Sequence, residues 1–392
     1  MQQIASLIQQ YTPDAVALRR NLHRHPELSM KEVNTTRLIQ ETLQSYGIPL
    51  IQDVTLPSGT AALLQGGQPG KTLMLRADID ALPVQEKSGL PFASECPGVC
   101  HSCGHDIHTS ALLLCARVLS QMREQLKGQV LFLFQPAEET GSGAAAVLES
   151  GLLERYKPDL AIGAHCWPDL PGGTVGLRKG GFMASSDTFL IRVTGRGGHG
   201  AHPHKSIDPI VTACYLVGQL QSVVSRSVAP LDSAVVTIGK FTAGTAANVI
   251  PDEAVLEGTV RTVDPAVQAL VEQRIRDVST YCAAAMGAQC EVEYHRGMPP
   301  LVCDPQVVDL LDAAASQQLG KEQVRYLEPP SMGSEDFARY LQQIPGAMFR
   351  IGTATDAPAS HLPLHNAGIL FDEQGIPTGA SVMCQLAVNY LR

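Results

Sequence analysis

Thiol, imidazole and carboxylate side chains collect at four places in this chain, each beside an apolar run. Residues 130–134 lead into the acid pair Glu138 and Glu139, residues 72–75 into Asp78 and Asp80, and residues 160–164 into His165. His101, Cys103, His105, Asp106 and His108 crowd together just ahead of 109–124, where apolar residues recur at helical spacing. These are the side chains that hold zinc and its first-row neighbours. Paired acids add a second capability, because one can ligate a cation while its neighbour stays free to handle protons. The chemistry implied is hydrolysis at a metal site supplied in pieces.

Only a folded sheet brings such pieces together. Short apolar runs bounded by turn residues read as buried strands of a mostly parallel sheet. Ligands collect just beyond the carboxyl ends of such strands. Helical patterns at 2–24 and 31–46, then strands at 60–65, 72–77, 130–134 and 160–164, predict an α/β layer fold. Gly172, Gly173, Gly180 and Gly181 punctuate the chain near a domain boundary at about 181. Beyond it come strand 188–193, helix 206–226, strands 233–241 and 254–261, helix 265–286 and strand 290–294. That is the order of a ferredoxin-like α+β unit. The expectation is two domains: a discontinuous, mostly parallel α/β/α metal-binding domain at 1–180 and 297–392, and an inserted domain at 181–296.

Bulk properties narrow the class. With 392 residues, 44% of them hydrophobic and 17% charged, the chain reads as an ordinary globular protein. A net charge of −9 supplies no basic stripe for nucleic acid or for an anionic membrane. There is no apolar run of about 18 residues, and the start of the chain lacks the pattern of a signal peptide. Ten cysteines spread over this length suit a reducing cytoplasm better than a disulfide scaffold. A cytoplasmic enzyme acting on a small molecule is expected, with no nucleic-acid or membrane partner.

Each signal also has an ordinary explanation. Alone, Glu138 and Glu139 would be a solvated acidic pair; the strand before them and the other ligand-type residues argue otherwise. His23, His25, His101, His108, His202 and His204 are assigned to core or surface rather than to the site. Cys100 and Cys103 have the spacing of a redox pair or half a zinc site, but no second such pair follows. The glycines around His199 lack a Walker lysine, and Ser185 and Ser186 lack a nucleophile elbow. Nucleotide binding and serine hydrolysis are not supported.

Six segments, occurring in one order, carry a family resemblance. They are His23-Arg24-His25-Pro26-Glu27, Arg76-Ala77-Asp78-Ile79-Asp80, Cys103-Gly104-His105-Asp106, Gln135-Pro136-Ala137-Glu138-Glu139, Gly198-His199-Gly200-Ala201 and Asn248-Val249-Ile250-Pro251. Over essentially its whole length the chain resembles the M20 metallopeptidases. The likeness is to their amidohydrolase branch of N-acyl-amino-acid, hippurate and indoleacetyl-amino-acid hydrolases.

The resemblance implies Cys103, His105, Glu139, His165 and His365 as ligands of two divalent metals, with Cys103 bridging. It implies Glu138 as general base and Asp80 as the group that orients a metal ligand; Asp78 and Asp106 are weaker supporting candidates. His199 would act across a dimer interface, and Asn248 and Arg261 would lie near the substrate carboxylate. The inserted domain becomes a lid and dimerisation domain, and the chain a homodimer, with a tetramer left open. The ligand set admits manganese, zinc, cobalt or nickel. The activity implied is cleavage of N-acyl-amino acids to a carboxylic acid and a free amino acid; an aminopeptidase or dipeptidase is the alternative. Cys100 stands where relatives commonly carry methionine, so oxidation is expected to join it to Cys103 and empty the site.

Overall fold

The apolar runs become the centre of a seven-stranded sheet. Numbered along the chain, its strands are β1 (Thr60–Gln65), β2 (Gln68–Asp78), β3 (Lys127–Gln135), β4 (Leu160–Pro171), β5 (Val175–Leu177), β14 (Val324–Tyr326) and β15 (Gly346–Ala354). They lie in the order β1-β3-β2-β4-β15-β5-β14. β2 pairs in parallel with β3 and β4, β4 with β15, and β5 with β14; the β1–β3 and β5–β15 pairs are antiparallel. β3, β4 and β15 are buried residue after residue over most of their length, as strands covered on both faces must be. Asp78 and Gln135 are the last residues of β2 and β3 and pair in register, and His165 lies midway along β4, two residues beyond the last β2–β4 pair, Arg76 with Gly163.

The computed structural model describes residues 2–392, and the chain divides into two units. The first runs to Gly180 and resumes at Cys303–Pro329 and Arg339–Arg392. In it the helices Gln2–Arg24, His105–Gln121 and Gly375–Tyr390 pack on one another, and the last two also meet the sheet. All of His105–Gln121 except Arg117 and Gln121 is buried, the pattern of a helix enclosed on every side.

The helical spacing suggests a start at 109, but the helix begins at His105. Gly104 explains the difference. It caps the helix at φ +89°, and a Cβ there would stand 3.0 Å from Cys166 Cβ. Glycine thus lets the chain turn sharply into the helix against β4. The ligand-type cluster is therefore the first turn of a helix, not a loop ahead of one.

The second unit comprises Gly181–Val302 and Pro330–Ala338. The latter segment falls within the sequence range expected for the first domain. β7 (Ser186–Thr194), β9 (Ala234–Ala243), β11 (Glu253–Thr262) and β12 (Gln289–Met298) form an antiparallel sheet in the order β12-β7-β11-β9. Counted within the unit this order is four-one-three-two, the ferredoxin-like arrangement. The helices Pro209–Ser222 and Pro265–Ala285 pack against it around Ile191, Leu216, Leu256 and Val271. Each opens with an aspartate-proline pair: Asp208 and Asp264 accept the first free amides, and proline occupies the first helical position. Two short ribbons complete the unit, β8 (Gly198–His199) with β10 (Val249–Ile250), and β6 (Gly180–Met183) with β13 (Leu301–Cys303). Among the described residues, no helix is long and apolar enough to cross a membrane.

Candidate metal centre

Asp80 organises the centre of the first unit. Its Oδ1 accepts from His105 Nδ1 at 3.2 Å and from the Glu138 amide at 3.1 Å. Its Oδ2 accepts from the Ser29 hydroxyl at 2.6 Å and from the Glu139 amide at 3.1 Å. One buried carboxylate therefore fixes an imidazole and both members of the acid pair. Burial opposes its charge, but the His105 hydrogen bond and charge outweigh it, so its pKa lies below the ordinary value. The turn carrying the acid pair is itself held, because Ala137 takes φ +54° and its amide donates to Glu32 Oε1 at 2.8 Å.

With Nδ1 engaged by Asp80, His105 directs Nε2 toward the acids. That nitrogen is buried, has no hydrogen-bond partner, and lies 3.8 Å from Glu139 Oε1, which also lacks one. His165 is fixed in the same way: its Nδ1 donates to the Cys166 carbonyl at 2.7 Å, leaving Nε2 3.4 Å from Cys103 Sγ. His365 Nε2 stands 3.4 Å from Glu139 Oε2. His365 is placed by a backbone at φ +68° and by its amide, which donates to the Ser102 carbonyl at 2.9 Å.

Ligand atoms of Cys103, His105 and His165 all lie within 4.8 Å of one another, and so do those of Cys103, Glu139 and His365. Cys103 belongs to both groups. A third group joins His105 and Glu139 to Glu138, which places the second acid at the edge of the same cluster.

The electrostatics suit cations. Burial, reinforced by Glu139, pushes the Cys103 thiol well above its usual range, and burial also raises Glu139. Burial disfavours the His105 cation, yet Asp78, Cys103 and Asp80 together raise its pKa well above normal. Burial and His108 hold His165 well below it. A divalent cation would take over the work of these protons, since ligands must bind it deprotonated. Two orphaned buried donor atoms facing one another and a thiol shared between two triads fit metal binding.

A supporting layer escaped the sequence reading. His108, there assigned to the core or surface, donates from Nδ1 to Asp78 Oδ1 at 2.6 Å, and its Nε2 accepts the Cys166 amide at 2.7 Å. It thus links the end of β2 to the strand that carries His165. Asp78 also takes Arg76 Nη1 at 2.8 Å; burial opposes its charge, but His105 and Arg76 outweigh that penalty and hold its pKa well below normal. The signal that could have found His108 is its spacing: it lies three residues after His105, on the same face of one helix. Asp106 faces elsewhere, accepting from Arg19 Nε at 2.7 Å and His23 Nδ1 at 2.8 Å. His23 in turn meets Glu86 Oε1 at 3.1 Å.

The family model for the Peptidase family M20/M25/M40 matches residues 74–389. The chain belongs to this family. Among its M20 relatives, the N-acetyl-L-cysteine deacetylase of Bacillus subtilis is 45% identical over 88% of this chain and 82% of that one. The N-acyl-L-amino acid amidohydrolase of Geobacillus stearothermophilus is 42% identical over 77% of this chain and 81% of that one. The crystal structure of a dinuclear metal-binding peptidase of the M20 family from Bacillus subtilis superposes with a TM-score of 0.86. That structure is 37% identical and covers 98% of this chain and 99% of its own.

The candidate residues of the second unit, two from motifs and Arg261 from its position alone, fall into two places. His199 on β8 and Asn248 just before β10 are neighbours, since the Gly200 amide donates to the Asn248 carbonyl at 2.9 Å. Both are exposed. His199 Nδ1 accepts the Ala201 amide at 3.0 Å, which makes Nε2 the donating nitrogen of the neutral ring. Arg261 lies near the far end of β11, eight residues beyond Glu253 and so about 26 Å along the strand at ~3.3 Å per residue. Its Nη1 donates to the Val260 carbonyl at 3.0 Å.

Cys100 sits on an isolated bridge, its amide and carbonyl both bonded to Leu82. All ten cysteines are free thiols.

Proposed function

We propose that this protein hydrolyses the amide bond of N-acyl-amino acids, releasing a carboxylic acid and a free amino acid, with two divalent cations per chain. The observation that carries this reading is the sharing of Cys103 between two ligand groups with Glu138 at their edge. Relatives named as a deacetylase and an N-acyl-amino acid amidohydrolase support the substrate class.

Cys103, His105 and His165 would hold one cation, and Cys103, Glu139 and His365 the other. Such a pair polarises a carbonyl oxygen and acidifies water at neutral pH. The chain's own residues do the rest. Glu138 takes a proton from the attacking water and later delivers it to the departing amine. Asp80 keeps His105 in the tautomer that presents Nε2, and it holds the Glu138 backbone so that its carboxylate stays at the cluster. His199, with Nε2 as a donor, suits an oxyanion, and Asn248 beside it suits the substrate carboxylate.

We place the metal among manganese, zinc, cobalt and nickel, and the protein in the cytoplasm, where free thiols persist. A homodimer through the second unit is supported by the open edge of β9, which exposes Val235 and Phe241.

The test is a panel of N-acyl-amino acids and dipeptides offered to metal-loaded protein, with the released amine measured. Turnover of acyl conjugates, but not of dipeptides, is expected. Turnover of dipeptides alone would replace this reading with a dipeptidase.

A further inference from the structure

A cleft of about 540 Å³ opens in the first unit beside the metal cluster. Trp167, Leu170, Pro171, Leu327 and Pro329 supply most of its wall, with Arg350 behind the tryptophan. Trp167 lies two residues beyond His165 on β4, so both side chains leave the same face of the strand. Their rings are 6.3 Å apart, edge to face. Arg350 of β15 pairs in register with His165, and its guanidinium carbon stacks 3.6 Å from the centre of the indole ring. At the ring edge, Trp167 Nε1 donates to Asp169 Oδ2 at 3.1 Å. The indole is therefore held on one face by a cation and at its edge by a hydrogen bond. On the far side Tyr326 is steadied by its hydroxyl, which donates to Asp312 Oδ2 at 2.9 Å.

Size and charge decide what such a cleft takes. Its volume lies within the ~300–1,000 Å³ of ordinary ligand pockets, far more than a two-carbon acyl group would fill. Arg325 and Arg350 are balanced by Asp169 and Glu328, so no net charge draws in a carboxylate. The amino-acid half of an N-acyl-amino acid always carries one. A neutral, flat acyl group suits apolar walls and a fixed aromatic plane.

We propose that this cleft is the acyl subsite and that it takes an aromatic acyl group, with Trp167 as the residue that sets acyl specificity. The inference rests on the N-acyl hydrolase reading above and extends it to the substrate's acyl half.

Trp167 is the chain's single tryptophan, so its fluorescence reports the cleft directly. In metal-loaded protein, benzoate should change the emission saturably and acetate should not. Trp167→Ala should lower kcat/KM for N-benzoylalanine by ~10–100-fold more than it lowers that for N-acetylalanine. Leu327→Phe, which narrows the cleft without removing the platform, should show the same selectivity. Equal losses on both acyl groups, losses that follow the amino-acid side chain instead, or no emission change with benzoate would overturn the assignment. If the parent protein turned over no N-acyl-amino acid, the functional reading would fail by itself, while the benzoate titration would still report on the cleft.

Discussion

The two halves of the metal cluster share a sulfur but are built differently. On one side, His105 and His165 are buried, and each has its second nitrogen tied to a carboxylate or a carbonyl. On the other, the His365 side chain is 52% exposed and its backbone is held in a left-handed turn. A cation in the first half would be locked by a helix, two strands and the Asp80 network. A cation in the second would share Cys103 and otherwise depend on Glu139 and on the exposed loop that carries His365. Rigid, braced ligands hold metal more tightly and release it more slowly than ligands borne on an exposed loop. The design points to one tightly bound ion and one that exchanges.

The comparison predicts a graded set of effects. Removing the shared atom is the largest: Cys103→Ala should abolish occupancy of both halves and lower kcat/KM by at least ~10³-fold, as read by metal analysis and amide turnover. Next, Glu138→Gln should lower kcat by ~10²–10⁴-fold with both cations retained, which separates proton handling from binding. Asp80→Asn should weaken metal affinity by ~10–100-fold, chiefly in the half that contains His105. His365→Ala should leave one cation per chain, and its loss under a chelator should then follow a single slow phase. A parent protein that lost both ions in one phase would remove the contrast.

The smallest effect lies outside the cluster. His23 and Ser88 hydrogen bonds, acting against the burial penalty, lower the Glu86 pKa to about 2. Its folded-state pKa is thus depressed, so the stability it contributes is present above pH 4.5 and is lost as pH falls towards 2. Urea melts of Glu86→Gln should show a shallower loss of stability across that window than the parent.

Much of this was legible in the sequence because local chemistry and strand position coincide. Residues 130–134 had to be buried, and the acids after them had to lie at the end of a parallel strand. Cys103, His105 and His165 carried their chemistry openly. His365 did not: no strand or motif marks it, and only the family resemblance named it. The role of Asp80 depends on backbone amides 58 and 59 residues away, which no local pattern encodes. His108 was missed because a buried histidine that ties two strands together looks, in one dimension, like any core residue. The helix start was misplaced by four residues, because a left-handed glycine, rather than a capping side chain, begins it. Arg261 carries no motif of its own, and nothing local on β11 marks it as a substrate-binding residue.

Native mass spectrometry of metal-loaded protein offers the decisive count. Two divalent cations per chain are predicted for the parent and for Glu138→Gln, and none for Cys103→Ala, with amide hydrolysis present only in the parent. A parent that bound no cation, or a Cys103→Ala variant that still held two, would contradict a centre built on one shared thiolate.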